Sequence, residues 1–437
     1  MTSRARRRAA PQQSEPSGAD QIPVWTGVSV RSPRAFRDGV AHLLSDLNDE
    51  QHAAVTYGEG PLLVVAGAGT GKTQVITRRV AWLIAEQRAL PEEILALTFT
   101  DRAAEEMQAR VDRLVPYGYA TTPIKTFHAW GDELLRENAH RLGIAGELRV
   151  LGRAEVVLLL REHLFELGLS RFAPLGDPTR FLGDVAGYIS RAKEEAVTPD
   201  QVDAFAAALR SKAAAVESDD NATEKERSTS AEYAAALRRL GEEQAELAAV
   251  YRSYRSILAK RGLLDFGDQV LLSHELLQSD PLVAARVRER HRWLLVDEYQ
   301  DTNRLQGALV DLITQGNGNL TAVGDDDQSI YRFRGAAIGN ILGFVDRYPS
   351  AGKVVLTKNY RSTTPILNAA RRLIRFNDPD RLETRLGISK ELSAETDRGD
   401  AAPVGFRRFR TTADEADWIA QEIRASIEAR SEEHTSE

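Results

Sequence analysis

The sequence contains no cysteine, and only 2 of its 437 residues are methionine. The lack of thiols excludes disulfides, zinc–cysteine sites and thiol catalysis. No signal-peptide pattern and no bilayer-length apolar run occurs, so the chain reads as cytoplasmic, with no membrane partner. Excess positive charge is also missing, since the formal net charge is -7. There is no global basic field for nucleic acid, but a local basic groove is compatible with an acidic whole. The remainder is ordinary for a globular protein, 42% hydrophobic and 28% charged, and the length predicts two to four domains.

Residues 1–45 carry Arg4, Arg6, Arg7 and Arg8 ahead of a Pro/Gln/Ser/Gly-rich stretch at 11–18. They read as a disordered basic tail, with an accessory nucleic-acid-binding arm as the sharper alternative. The ordered part begins at Leu47, where Asn48 caps a helix carrying Gln51. A glutamine amide matches the N6 and N7 edge of adenine, although Gln51 alone reads as a helix-surface residue.

Leu62–Thr73, LLVVAGAGTGKT, organises the chain. A short apolar run, a glycine-rich turn and a helical pattern through Val75, Ile76, Val80, Leu83 and Ile84 follow in order. That succession makes a phosphate-binding loop. The backbone N–H groups of Ala66, Gly67, Ala68, Gly69, Thr70 and Gly71 cradle phosphate oxygens, and the helix dipole adds to the attraction. Lys72 reaches the β/γ-phosphates, the Thr73 hydroxyl ligates Mg²⁺, and Gln74 completes the nucleotide-side stretch. Ala66 stands where the common pattern has its first glycine. A plain glycine-rich turn with a surface lysine is the bland alternative, and it leaves Gly-Lys-Thr at a helix start unexplained.

Two more strands are predicted at Ile94–Phe99 and Ile124–Thr126, each running into a helix, with Thr100-Asp101 as one cap. Alternating strands and helices imply a parallel sheet with ligands at the C-terminal strand ends. Phe99, Phe127 and His128 lie at such ends, as stacking platforms for bases or as core residues closing the sheet edge. Residues 135–260 change to an Ala/Leu/Glu/Arg-rich helical pattern, read as an inserted subdomain without catalytic signal, in which 211–231 reads as a flexible insert.

The strand pattern returns at Trp293–Val296 and ends in Asp297-Glu298. Asp297 is placed to hold Mg²⁺, and Glu298 to accept the proton of the attacking water. Leu320–Val323 leads to Gln328, a γ-phosphate sensor beyond a strand end, and then to Tyr331-Arg332-Phe333-Arg334. Interleaved rings and guanidinium groups suit single-stranded nucleic acid. Val354–Leu356 leads to Tyr360 and Arg361, the latter an arginine able to reach across a cleft to ATP.

Taken together, LNDEQHAAV, AGAGTGKT, LALTFTDRAAEEM, IKTFHAW, LLVDEYQDTN, VGDDDQSIYRFRGA and LTKNYRS resemble, in order, the motifs of UvrD/Rep/PcrA-type superfamily 1 DNA helicases over about 47–425, and LDFGDQVLL at 264–272 is also similar. Ala66 is normal for that family. The resemblance implies an α/β fold of two RecA-like P-loop domains with inserted helical subdomains. It implies ATP and Mg²⁺ as cofactors, and 3′→5′ movement on single-stranded DNA and ss/ds junctions, in repair or replication restart with possible repair-protein partners. It further implies adenine contacts at Gln51 and Tyr360, a nucleotide-site role for Arg79, and γ-phosphate contacts at Gln328 and Arg361. Phe99, His128, Tyr331 and Phe333 would line the strand path. Many relatives carry tryptophan at the position of Phe333, and Lys358 replaces a common glutamine.

On this basis residues 46–134 and 261–358 form the first RecA-like domain, interrupted by 135–260, and 359–429 begin an incomplete second one. No large second insertion follows Leu382, and Pro403–Arg430 reads as a further strand and helix, so the chain reads as an N-terminal fragment. Residues 430–437, RSEEHTSE, are the translation of DNA resembling a common sequencing adapter and are expected to be non-native. Two alternatives stay open: the motor part of a helicase–nuclease, and an ATP- and DNA-binding fragment that does not unwind.

Overall fold

The computed structural model describes residues 41–115, 122–142, 148–217, 224–315, 318–331, 335–396 and 403–433. The basic tail up to residue 40, Arg332, Phe333, Arg334 and residues 434–437 lie outside the described residues.

Six strands form one wholly parallel sheet: β1 (Leu62–Ala66), β2 (Ile94–Thr98), β3 (Ile124–Thr126), β6 (Trp293–Val296), β7 (Leu320–Gly324) and β8 (Gly352–Leu356). Their order across the sheet is β3-β2-β6-β7-β1-β8. Parallel pairing needs crossovers, and these place helices on both faces. Every residue of β1, β2, β6 and β7 is therefore buried. The two faces divide the strand residues with a period of two. Leu63, Val65, Leu95, Leu97, Leu294 and Val296 pack with the helices Phe127–Glu137, Phe266–Ser279 and Arg304–Thr314. Leu62, Val64, Ile94, Ala96, Trp293 and Leu295 pack with Lys72–Ala85 and Asp101–Leu114. The helix after β2 starts where expected, because the Thr100 hydroxyl accepts from the Ala103 N–H.

Between β3 and β6 the chain leaves the sheet. A short parallel ladder of β4 (Arg149–Leu151) with β5 (Leu263–Asp265) closes the neck of an all-helical unit. Its core gathers Leu160, Leu182, Val185, Ile189, Val250, Tyr251 and Tyr254. Residues 211–217 and 224–231 belong to the helices Pro199–Glu217 and Glu224–Arg261 and not to an irregular insert. The two helices pack through a small cluster in which Ala213 and Ala234 sit among Leu209, Val216 and Leu237.

Beyond β8, β9 (Lys358–Asn359) pairs with β10 (Ser393–Ala394). The helix Thr364–Ile374 buries none of its residues. Leu382 is fully buried and packs into the core of the first sheet. The strand expected after Pro403 is not formed: residues 403–410 make no ladder among the described residues, and the helix Thr412–Glu433 follows. An extended segment becomes a strand only where a neighbouring edge accepts its hydrogen bonds. Among the described residues no helix is long and apolar enough to cross a membrane.

Candidate nucleotide and strand-binding site

Three adjacent strands, β6, β7 and β1, end on one edge of the sheet, and their following loops meet there. The loop after β1 depends on glycine at two positions. Gly69 and Gly71 adopt φ of +79° and +88°, the left-handed region that disfavours side chains. A Cβ on Gly69 would lie 2.6 Å from the Arg361 Cβ, and one on Gly71 would lie 2.7 Å from the Gln51 Nε2. The Thr70 hydroxyl donates to the Gly67 carbonyl at 2.8 Å and closes the turn. Gly71 caps the helix Lys72–Ala85 with no side-chain hydrogen bond, so no capping side chain competes with an anion for its first N–H groups.

Lys72 Nζ donates to Glu298 Oε2 at 2.6 Å and to Gln328 Oε1 at 3.2 Å. One ammonium thus joins the ends of all three strands. Glu298 has φ of +47°. A non-glycine residue there costs of order 1 kcal/mol or more and persists where the surroundings enforce it. The Glu298 N–H donates to Asp297 Oδ1 at 2.9 Å, and Gln300 Nε2 donates to Glu298 Oε2 at 2.8 Å. Burial, with the neighbouring Glu298 charge, pushes the Asp297 carboxyl up to about 7. Burial and Glu298 likewise push Asp301 up to about 6. Asp297, a buried carboxylate whose charge is disfavoured, is a donor that a hard divalent cation would neutralise, so its chemistry fits Mg²⁺, and Thr73 at the helix start offers a hydroxyl of the same hard-oxygen type. Gln328 Nε2 donates to Asp325 Oδ2 at 2.7 Å.

The adenine-side candidates form a linked wall. Gln51 is buried, its Nε2 donating to the Thr70 carbonyl at 2.9 Å and its Oε1 accepting from the Asn48 N–H at 3.3 Å. Asn48 Nδ2 donates to the Tyr360 hydroxyl at 2.9 Å, and the Tyr360 ring is half-exposed. The backbone N–H of Tyr360 donates to the Gly69 carbonyl at 2.9 Å. Arg361 is exposed next to the loop, with its backbone N–H held by Asn359 Oδ1. Gln74 is half-buried beside Gly71.

Arg79 is a correction. It is fully buried, its Nε donates to Thr321 Oγ1, and its terminal nitrogens donate to the carbonyls of Ala54, Val55, Tyr57 and Gly58. Burial lowers its pKa to about 10. Seven residues of helix carry it roughly 10 Å along the axis from Lys72, away from the phosphate end. It pins the segment after the first helix to the sheet and does not face the nucleotide loop.

Along the same edge, towards β2 and β3, the rings of Phe99 and Tyr331 stack at 5.7 Å with an interplanar angle of 23°. His128 is half-buried and meets Phe266 edge-on at 6.2 Å, and burial lowers its pKa. Phe99, His128, Phe266 and Asn303 contribute to the wall of a cavity of about 540 Å³ between the sheet edge and the helical insert. Phe127 points into the core. The sequence reading missed three residues. Phe266 is 58% exposed and sits in the LDFGDQVLL stretch, where an aromatic beside a helix cap was the available signal. Gln300 and Asn359 are buried amides that tie neighbouring loops together, through Asp325 N–H and the Ala68 carbonyl respectively.

A parallel sheet whose strand ends bring together a glycine phosphate loop, a lysine, a carboxylate pair and a sensor-like glutamine defines a RecA-like P-loop protein. Its UvrD/REP helicase N-terminal domain profile matches residues 47–349, and that of the UvrD-like helicase C-terminal domain matches 354–436. The chain belongs to the UvrD/Rep/PcrA-type superfamily 1 helicase family. It is 36% identical over 392 residues to the ATP-dependent DNA helicase PcrA of Leuconostoc citreum, covering 90% of this chain and 46% of that protein. The PcrA of Bacillus subtilis is 38% identical over 336 residues, 77% of this chain and 40% of that protein. The chain therefore spans under half the length of these relatives.

Proposed function

We propose that the chain is motor machinery of an ATP-dependent DNA helicase that moves 3′→5′ along single-stranded DNA, at ss/ds junctions, in cytoplasmic repair or replication restart. The observation that carries this reading is Lys72 Nζ bonded to both Glu298 and Gln328 at adjoining strand ends. The Lys72–Glu298 pair is a resting arrangement. When a triphosphate enters the loop, its β/γ oxygens replace Glu298 as partners of Lys72, and the Glu298 carboxylate is released to accept a proton from the attacking water. The loop amides from Ala66 to Gly71 hold the phosphates, and Gln328 and Arg361 flank the γ-phosphate. Gln51, Gln74 and Tyr360 border the base and its loop. Thr73 and Asp297 would hold Mg²⁺, which when bound supplies neutralising charge to the phosphate oxygens.

Phe99, His128 and Tyr331 supply the stacking edge for bases; by residue type, Arg332 and Arg334 would add charge for the phosphates and Phe333 a further ring. The test is hydrolysis and strand displacement with tailed duplexes. Displacement from 3′-tailed but not 5′-tailed substrates supports the polarity. ATP turnover indifferent to single-stranded DNA overturns the motor reading, and DNA-dependent turnover without displacement favours a strand-binding ATPase that does not unwind.

A further inference from the structure

The loop after β7 carries three consecutive carboxylates, Asp325, Asp326 and Asp327, whose ligand oxygens lie within 4.8 Å of one another. Such a cluster repels itself unless a cation balances it. The balancing charges come from the segment after the exposed helix Thr364–Ile374. Lys390 Nζ donates to Asp326 Oδ1 at 2.6 Å and to Asp327 Oδ2 at 2.7 Å, and it also pairs with Asp325 Oδ1. All three of its protons are therefore used, and the side chain is only 6% exposed. Arg381 grips Asp327 with two bonds, both of 2.7 Å. The Leu382 N–H donates to Asp326 Oδ2 at 2.8 Å while its side chain is buried in the first sheet's core. Leu392 lies over the phosphate loop, 3.1 Å from where a Cβ on Gly67 would stand.

These contacts form a continuous chain into the phosphate site. Lys390 holds one oxygen of Asp325, and the other accepts from Gln328 Nε2. The Gln328 Oε1 thereby faces Lys72. We propose that Lys390 is a positioning residue for the nucleotide site: by fixing Asp325 it sets the orientation of the Gln328 amide, and so makes the phosphate site depend on docking of residues 381–392. This inference rests on the proposed ATPase reading for its catalytic consequence and on contacts alone for the tether. A lysine is suited to the task because its ammonium satisfies three separate acceptors at once, which no neutral side chain of the same length does. Burial disfavours the ammonium, and the three carboxylates outweigh that penalty and hold its pKa above the ordinary value.

The test compares the full chain with Lys390→Met, Lys390→Arg and Asp325→Asn. In nucleotide-free protein, hydrogen exchange is read at the Gln328 and Ser329 amides, which donate to the Asp325 and Asp326 carbonyls. Lys390→Met is expected to speed exchange there about tenfold and to leave strand 62–66 protected. Lys390→Arg keeps the charge and is expected to retain most of the protection. With poly(dT) and Mg²⁺, Lys390→Met and Asp325→Asn should each lower kcat for ATP about 10- to 100-fold while KM stays within about threefold. Unchanged exchange at 328–329 in Lys390→Met overturns the tether, and a raised KM with unchanged kcat overturns the positioning role. If Lys390→Met does not fold, Asp325→Asn decides by the same kcat and KM criterion. If the parent chain hydrolyses no ATP, the function reading fails by itself, and the exchange comparison still decides whether Lys390 orders the Gln328 loop.

Discussion

Replacing Lys72 with alanine removes a side chain that is 11% exposed and whose ammonium is bonded to two strand-end side chains. Its partner Glu298 is 35% exposed, so water can solvate the released carboxylate. The stability cost is therefore that of a partly screened pair, about 1 kcal/mol. The nucleotide cost is larger. Charge-assisted hydrogen bonds contribute roughly 1.5–3 kcal/mol each, and two phosphate contacts minus the pair that must break give a net of about 3 kcal/mol. That corresponds to roughly a hundredfold loss of affinity. The Lys72 charge also opposes the upward shifts of Asp297 and Asp301, so its removal moves both carboxyls further up and sets protons in competition with a cation. Titration of a fluorescent ATP analogue in Mg²⁺, beside a denaturant melt, separates the two effects. An affinity within about threefold of the parent, with the fold intact, refutes the phosphate assignment of Lys72.

Glu298→Gln should keep nucleotide binding and lose about 10²–10⁴-fold in turnover, measured by phosphate release; loss of binding would mean a structural role. Phe99→Ala removes the ring stacked on Tyr331 and should weaken single-stranded DNA binding by roughly 1–3 kcal/mol in a fluorescence-anisotropy titration. Arg79→Met should destabilise the chain by about 3 kcal/mol or more in urea, because it strips buried carbonyls of their donor. Where the variant folds, its nucleotide affinity should be close to the parent's. The Asp297 pKa, raised from 3.8 to about 7, means that the folded state binds the extra proton between those values. Its contribution to stability therefore falls as pH rises from about 4 to about 7, by at most about 4 kcal/mol. Mg²⁺ should accordingly raise the Tm more at about pH 8 than at about pH 5.5, and Asp297→Asn should flatten that difference.

Features confined to a few consecutive residues were legible in the sequence. The buried strands announce themselves as short apolar runs, and the candidate residues Lys72, Asp297, Glu298 and Gln328 lie in the segments that follow three of them. A parallel sheet brings such strand ends to one edge, so their meeting follows from the fold class. What depends on long-range closure was hidden. Lys390 is separated by 65 residues from Asp325, and nothing local marks it as the counter-charge of that loop. Arg79 shares a helical face with Lys72 by sequence spacing, but two turns of rise carry it to a different neighbourhood. The alanine-rich stretch after residue 211 brings few large apolar residues to the helix pair, whose contact is completed by Leu209 and Leu237 outside it, and composition alone reads it as irregular chain. The segment after Pro403 shows the opposite error, an extended stretch taken for a strand that pairs with no edge among the described residues.

The central claim is that the Lys72–Glu298–Gln328 arrangement is an ATPase site coupled to a DNA strand. The most direct measurement is steady-state ATP hydrolysis by the parent chain and by Glu298→Gln, with and without poly(dT). The account predicts turnover that rises on adding the single strand and is lost in Glu298→Gln while nucleotide binding persists. Turnover that ignores the strand, or survives in Glu298→Gln, would contradict it.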